Sequence, residues 1–368
     1  FCESQIYWLD DYSLFMAVRE AQGNKSWHQW AEPDLIKRET HALIHWQNKL
    51  KDQITYHKFI QFKFFEQWLE LKQYAHKHEI EIIGDIPIYV AHDSADVWAN
   101  QEFFELDLET GEAALMAGVP PDYFSETGQL WGNPVYNWEK LAHTQFNWWI
   151  QRFESLLKLV DVIRVDHFRG FQAFWAVEQG EETAMNGRWI KAPGSELFAT
   201  IQHKWGHLPI LAEDLGVITP DVEALRDGFG FPGMKVLQFA FGSDNGNPFL
   251  PFNYGRNFVV YTGTHDNDTT VGWFEKLTGR ERDRLLLYVG GVGTDGIHWD
   301  LIRLAMSSVA NLSIFPLQDI LGLDGASRMN FPGVAEGNWS WRYDPAVLNE
   351  PIQLRLKSLT EICGRTSS

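Results

Sequence analysis

The stretch that decides the predicted fold is Asp161-Val162-Ile163-Arg164-Val165-Asp166-His167-Phe168-Arg169-Gly170. Apolar and β-branched residues dominate positions 159–165 and a glycine follows shortly after, which predicts a buried strand. A strand places every second side chain on one face, so Arg164 and Asp166 point the same way at its C-terminal end. A guanidinium beside a carboxylate keeps that carboxylate ionised, as an anionic nucleophile requires, and a purely structural ion pair fits the same pattern.

Six short apolar segments are predicted to be strands, at positions 79–90, 159–165, 209–212, 233–241, 258–262 and 313–317. Segments with helical periodicity separate them, among them 58–78, 138–159 and a helix that begins at Thr219-Pro220, with Thr as its N-cap. Strands that alternate with helices form βαβ units, so we expect a parallel sheet. Two longer stretches are predicted to be insertions, a loop at about 91–137 and a helical segment at about 171–206.

The fold class that follows is α/β, a TIM-type (β/α)8 barrel with inserted loops that forms one catalytic domain over residues 1–368. A closed barrel of this type needs eight strands. We therefore expect the first two strands to lie upstream of Phe1, which is not a Met and suggests processing or a cut. No G-x-G-x-x-G or G-x-x-x-x-G-K-[ST] motif follows a strand, which disfavours a nucleotide-binding open sheet.

The charge and composition of the chain limit its partners. A formal net charge of −18 disfavours a nucleic-acid backbone, because phosphate binding needs a surplus of Lys and Arg. The 17 Trp, 25 Phe and 11 Tyr suit the flat apolar faces of sugars, and they suit a large core equally well. We expect a neutral or cationic ligand.

Cysteine usage predicts the compartment. Cys2 and Cys363 lie near opposite ends and form neither a CxxC pair nor a disulfide framework. No run of 18 apolar residues and no signal peptide is present, so we expect no membrane partner. The prediction is a cytoplasmic protein, or a plastid protein if the source is a plant or alga.

Three acids stand at the ends of three predicted strands. They are Asp166, Glu213 and Asp266, with Arg164, His265 and Asp85 nearby in the same register. Each acid alone is more commonly structural, but several carboxylates on one barrel face are costly to desolvate together unless a site needs them.

Two chemistries use such a set of acids. Glycoside transfer needs one carboxylate as nucleophile and one carboxylic acid with a raised pKa. A metal-dependent barrel enzyme needs three carboxylates around Mg²⁺, with a Lys or His as base. Arg164 favours the sugar chemistry, because a guanidinium in the pocket competes with a cation, and no strand ends in a comparable Lys. No metal, nucleotide or pyridoxal site is visible, so we predict no cofactor.

At these positions the chain resembles the amylomaltases, also called 4-alpha-glucanotransferases or disproportionating enzymes, of the alpha-amylase clan. The motifs that carry the resemblance run in order from residue 84 to residue 342. They are Gly84-Asp85-Ile86-Pro87-Ile88-Tyr89-Val90, the loop 118–134, Arg164-Val165-Asp166-His167-Phe168-Arg169-Gly170, Ala212-Glu213-Asp214-Leu215-Gly216, Thr264-His265-Asp266-Asn267, Arg328-Met329-Asn330-Phe331-Pro332-Gly333 and Gly337-Asn338-Trp339-Ser340-Trp341-Arg342.

The resemblance implies a retaining double displacement. Asp166 is implied to be the nucleophile that forms a covalent glucosyl intermediate, and Glu213 the general acid that then acts as base. Asp266 is implied to hydrogen-bond sugar hydroxyls and to stabilise the oxocarbenium-like transition state.

Further residues are implied to bind the sugar at the cleavage point. Arg164 would keep Asp166 ionised, while His265 and Asp85 would hold sugar hydroxyls. A helix cap explains Asp85 nearly as well as a sugar contact does. For His265, a sugar contact is favoured over a buried core histidine, because Asp266 follows it at a strand end.

Aromatic and amide side chains are implied to form the acceptor side. The family's mobile loop over the acceptor corresponds to Tyr123, Phe124, Gln129 and Trp131, and Phe239 would add a platform. Trp131 and Phe239 also fit an ordinary core. Three residues, Asp214, Asp268 and His167, are set aside because strand alternation turns them away, and the cluster 338–342 is interpreted as packing or barrel closure.

The predicted function is a 4-alpha-glucanotransferase that transfers segments of α-1,4-glucans and maltooligosaccharides to a glucan or to glucose as acceptor. Its preference for a sugar acceptor over water comes from the resemblance alone. Two alternatives stay open: a metal-dependent barrel lyase or hydrolase, and a non-catalytic glucan-binding protein.

Overall fold

The computed structural model describes residues 1–107, 109–121, 125–334 and 336–366. It divides into two compact units, residues 1–229 and 230–368, and each is described by itself. That the two make up the single catalytic domain expected from the sequence stays a prediction.

The first unit is rich in helices. Its helices are α1 Ile6–Ala21, α2 Pro33–Ile36, α3 Thr40–Lys49, α4 Lys51–Lys77, α5 Ala95–Ala99, α6 Trp138–His143, α7 Asn147–Leu159, α8 Gly194–Trp205 and α9 Pro220–Gly228. The single helix predicted over 138–159 is interrupted, because Gln145 and Phe146 adopt left-handed backbone angles with φ of 54° and 57°. Helix α9 begins with Thr219 as N-cap and Pro220 in the first turn, as predicted.

Three parallel strands form the first sheet, in the order β1-β4-β7. They are β1 Ile83–Pro87, β4 Val162–Asp166 and β7 Ile210–Ala212. The parallel pairing confirms the βαβ prediction. The predicted strand 79–90 is too long, since Glu79 turns the chain with a φ of 58°. The strand predicted at 159–165 begins too early, since α7 continues through Leu159. Strand β4 therefore starts later and ends on Asp166 itself.

A second sheet in this unit is antiparallel, and the sequence did not predict it. Its order is β3-β2-β5-β6, built from β2 Leu115–Val119, β3 Gln129–Pro134, β5 Ala173–Glu178 and β6 Arg188–Lys191. The segment 91–137 is thus not only loop, and the insertion 171–206, predicted to be helical, carries two strands before α8. Gly118 permits the close pairing, because a Cβ there would stand 2.4 Å from the carbonyl oxygen of Gln129.

The second unit repeats the parallel pattern. Strands β8 Gly233–Val236, β9 Phe258–Tyr261 and β10 Leu312–Ile314 pair in the order β10-β9-β8. The helices of this unit are α10 Thr270–Lys276, α11 Gly279–Val289, α12 Ile297–Met306, α13 Leu317–Ile320 and α14 Glu350–Ile362. The strand predicted at 313–317 ends early, because Pro316 caps α13.

The buried carboxylate of Asp319 ties the sheet of this unit to its helices. It accepts hydrogen bonds from the Thr262 hydroxyl at 2.5 Å and from the N–H and hydroxyl of Thr270 at 2.7 and 2.8 Å. Burial raises the pKa of this carboxyl group, while these bonds act in the opposite direction. The bonds fix both ends of the connection 263–269, which carries His265 and Asp266.

Candidate active site

The register of the first parallel sheet brings Asp166 and Glu213 level with each other. Val165 of β4 pairs with Ala212 of β7, and the Glu213 N–H extends that ladder by donating to the Val165 carbonyl at 3.0 Å. The Phe168 N–H in turn donates to the Glu213 carbonyl at 3.0 Å. Since neighbouring strands lie about 4.8 Å apart, the two carboxylates start from backbone positions separated by roughly that distance.

Arg164 joins two of the predicted acids. Its Nη1 donates to Asp85 Oδ1 at 2.7 Å and to Asp166 Oδ1 at 2.9 Å. Burial alone would lower the pKa of the guanidinium, but the negative charges of Asp85, Asp166 and Glu213 outweigh it and raise the pKa. Arg164 is therefore a permanent cation with an exposed side-chain fraction of only 12%, and Asp85 meets it from the middle of β1.

The surroundings of Glu213 raise the pKa of its carboxyl group. Burial, followed by the charge of Asp166, raises the pKa of Glu213 to about 7. The charge of Arg164 and two backbone N–H donors act in the opposite direction: His167 donates to Oε2 at 2.7 Å and Leu215 to Oε1 at 2.9 Å. A group with a pKa near 7 is suited to give and take a proton at neutral pH.

His167 belongs to this cluster, although strand alternation predicts that it faces away from the site. The chain leaves the strand directly after Asp166, and His167 has a left-handed backbone with a φ of 50°, so the alternation stops there. This turn aims its N–H at Glu213. Burial, followed by the charge of Arg169, lowers the pKa of the imidazole to about 4, so the ring is neutral at pH 7. No signal in the sequence indicated the turn.

Trp131 and Gln129 lie next to each other on one side of β3. Trp131 Nε1 donates to Gln129 Oε1 at 3.2 Å, and the indole ring meets the ring of His167 edge-on at 4.9 Å between centroids. The indole is still 37% exposed, so it is no core residue. Two further residues predicted for this loop, Tyr123 and Phe124, lie outside the described residues.

The second unit holds His265 and Asp266 just beyond β9. Asp266 Oδ1 accepts a hydrogen bond from Asn330 Nδ2 at 2.6 Å, and its carbonyl oxygen accepts one from Arg328 Nη2 at 2.5 Å. His265 Nε2 lies 3.3 Å from Asp266 Oδ2. Asn330 and Arg328 are not among the site residues predicted from the sequence, although the motif Arg328-Met329-Asn330 is a signal that could identify them.

Phe239 belongs to the same unit but not to a strand. The strand predicted at 233–241 ends at Val236, and Phe239 lies in the 3₁₀ turn Leu237–Phe239 that follows. Its ring is exposed and packs edge-on against Phe249 at 5.4 Å. Part of the ring is therefore accessible to solvent.

Asp214 and Asp268, which strand alternation predicts to face away from the site, have structural partners. Asp214 forms a buried ion pair with Arg226 of α9, and Asp268 pairs with Lys276 of α10. Over the described part of the chain, no three His, Cys, Asp or Glu side chains converge in the way that metal ligands do.

Comparison with known proteins gives one consistent set of matches. A family model described as 4-alpha-glucanotransferase matches residues 1–348. The chain is 61% identical over 367 residues to a 4-alpha-glucanotransferase of Synechocystis, covering 99% of this chain and 72% of that protein. It is 50% identical to a 4-alpha-glucanotransferase of Thermus thermophilus, covering 99% and 74% of the two chains.

Solved structures agree with these sequence matches. An amylomaltase of Streptococcus agalactiae, solved in complex with acarbose, superposes with a TM-score of 0.95 at 42% identity. The match covers 99% of this chain and 74% of that structure.

Proposed function

The chain belongs to the 4-alpha-glucanotransferase family, and from that premise we propose a retaining double displacement with Asp166 as nucleophile and Glu213 as acid and base. The family membership confirms the resemblance drawn from the motifs, the α/β fold of the β/α-barrel type and the transferase activity. The matches support neither the metal-dependent lyase or hydrolase nor the non-catalytic binding protein.

One observation carries the proposal: Asp166 and Glu213 are level at the ends of adjacent parallel strands, with Arg164 beside Asp166 and a raised pKa at Glu213. A retaining mechanism needs two carboxyl groups roughly 5 to 5.5 Å apart. Side chains that start from strands about 4.8 Å apart can meet that requirement without rearrangement. The guanidinium of Arg164 favours the ionised form of Asp166, while the raised pKa of Glu213, at about 7, lets it carry a proton that it can donate.

In the first step, the Asp166 carboxylate attacks the anomeric carbon and the bond from that carbon to the glycosidic oxygen breaks. Glu213 gives its proton to the leaving oxygen. Asp166 becomes an ester and loses its negative charge. Because that charge is one cause of the raised pKa of Glu213, the pKa falls once the ester has formed, and Glu213 stays a carboxylate until the second step.

In the second step, a sugar hydroxyl attacks the same carbon and Asp166 leaves as a carboxylate. Glu213 accepts the proton of that hydroxyl and returns to its starting state. The one residue thus serves as acid and then as base because the charge of its neighbour changes between the steps.

We assign the remaining residues to binding. Asp266 would hydrogen-bond sugar hydroxyls as positive charge develops on the ring, with Asn330 and Arg328 fixing its position. His265 and Asp85 would each hold a sugar hydroxyl. Trp131 and Gln129, on β3, would bind the acceptor.

The exposed ring of Phe239 is assigned to the acceptor side as well. Aromatic rings suit the apolar faces of sugars, and a sugar that fills the acceptor side keeps water from the covalent intermediate. The substrates we propose are α-1,4-glucans and maltooligosaccharides, with glucose as a further acceptor.

We propose a cytoplasmic location. Cys2 and Cys363 are free, as expected of reduced thiols. Within the described residues no helix has both the length and the apolar character that a bilayer span requires.

Maltotriose as the sole substrate tests the proposal. A transferase converts it to glucose and to oligomers longer than itself, which chromatography separates. The Asp166→Asn variant should make neither product, and Asp221→Asn, an exposed aspartate on α9, is the matched control and should make both. Full turnover by Asp166→Asn would contradict the assignment of the nucleophile.

A further inference from the structure

Trp339 has a backbone conformation that bulky residues rarely adopt. Its φ is 60°, in the left-handed region, where glycine is tolerated and a tryptophan is strained. The indole is 55% exposed, so burial of the ring does little to offset that strain. Strained residues persist where the surroundings enforce them, and they concentrate at functional sites. A tryptophan at this position therefore points to a role for its side chain.

Backbone hydrogen bonds and one amide side chain hold the turn that carries Trp339. The Trp339 N–H donates to the Met329 carbonyl at 2.8 Å. Asn338 Oδ1 accepts from the Phe331 N–H at 2.9 Å, and Asn338 Nδ2 donates to the Val334 carbonyl at 2.7 Å. None of these bonds uses the indole. The shape of the turn and the presence of the ring can therefore be changed separately.

The indole lies against the imidazole of His265. The ring centroids are 5.0 Å apart and the planes are inclined at 41°. The same imidazole has its Nε2 at 3.3 Å from Asp266 Oδ2. His265 thus lies between an aromatic ring and a carboxylate, and contact with the indole restricts rotation of the imidazole and removes water from one of its faces.

We propose that Trp339 is a positioning residue that acts through His265. Its ring holds the imidazole in the orientation that meets Asp266 and, on the proposed function, a sugar hydroxyl at the reacting unit. A group that only orients another group affects the transition state more than the binding of distant sugars. Loss of the indole therefore lowers kcat more than it raises KM.

Two substitutions separate the ring from the backbone. Trp339→Gly removes the ring and suits the left-handed φ, so the folded state keeps its turn and loses its strain. We expect kcat about 10- to 100-fold lower, the range that a small misplacement of a catalytic group causes, with an unfolding midpoint no lower than that of the parent. Trp339→Phe keeps a ring and should recover most of the rate. Val334→Ala, exposed in the same turn, is the matched control and should leave kcat unchanged.

A double substitution tests whether the effect passes through His265. In a His265→Gln background, Trp339→Gly should add no further loss of kcat. An equal loss in both backgrounds would overturn the proposal, and so would full activity of Trp339→Gly in the parent.

A measurement without catalysis separates this proposal from the proposed function. In protein labelled with ¹³C-histidine, the resonance that His265→Gln removes is assigned to His265. That resonance should shift in Trp339→Gly, which lacks the ring current of the indole, and stay in place in Val334→Ala. A resonance that does not move in Trp339→Gly refutes the contact, whereas turnover by Asp166→Asn refutes only the proposed nucleophile.

Discussion

Neutralising Asp166 should lower the pKa of Glu213 from its value of about 7. The charge of Asp166 is the second cause of that raised pKa, after burial. For two unit charges about 5 Å apart, an effective dielectric constant of about 20 gives an interaction of about 3 kcal/mol, or roughly two pKa units. The Asp166 side chain is 41% exposed, and solvent screening should reduce the effect to about one unit. We therefore expect a pKa near 6 in Asp166→Asn.

The measurement is a pH titration of protein labelled with ¹³C at the glutamate carboxyl carbons, followed by NMR. The signal that disappears in Glu213→Gln is assigned to Glu213. Asp221→Asn, which removes an exposed charge on α9, should leave the titration of Glu213 where it was. A pKa that stays at about 7 or rises in Asp166→Asn would refute the reasoning, because burial alone would then explain the shift.

Three further outcomes are expected. The value of kcat/KM should be retained below pH 7 and lost as pH rises through about 7, because Glu213 must carry a proton in the first step. A pH profile of kcat/KM checks this, and Glu213→Gln should abolish the profile. Replacing Arg164 by Met should lower kcat about 100-fold without loss of fold, since the guanidinium that holds Asp166 ionised is gone; kinetics and circular dichroism check this. Replacing Asp214 by Ala should lower the free energy of unfolding by about 3 kcal/mol, because the buried Arg226 loses a partner; urea denaturation measures it.

Strand β4 and its charges could be predicted from the sequence because local rules decide them. Its β-branched residues alternate with Arg164 and Asp166, and the structure places those two side chains in contact. The cluster around Glu213 could be predicted in part for the same reason. Parallel strands align their C-terminal ends, so acids that follow two such strands come close together.

The antiparallel sheet could not be predicted, because one of its strands lacks the usual signals. Strand β3 contains Gly132 and ends in Pro134, two residue types that are depleted in strands. Its pairing with β2 depends on the absence of a side chain at Gly118, which is a long-range contact and not a local pattern.

His167 was missed for a different reason. The alternation rule applies only while the backbone stays extended, and the chain turns at the first residue after the strand. A polar residue directly after the last strand position can therefore reach the site through its main chain. The identity of the side chain does not predict that role.

The left-handed turn at His167 makes one peptide unit serve both acids of the first sheet. The amide N–H that follows Asp166 in the chain donates to the Glu213 carboxylate, so that carboxylate is tied to the backbone at the end of β4. A substitution of His167 that tolerates the left-handed backbone should therefore keep this bond, because its donor is the main chain and not the imidazole.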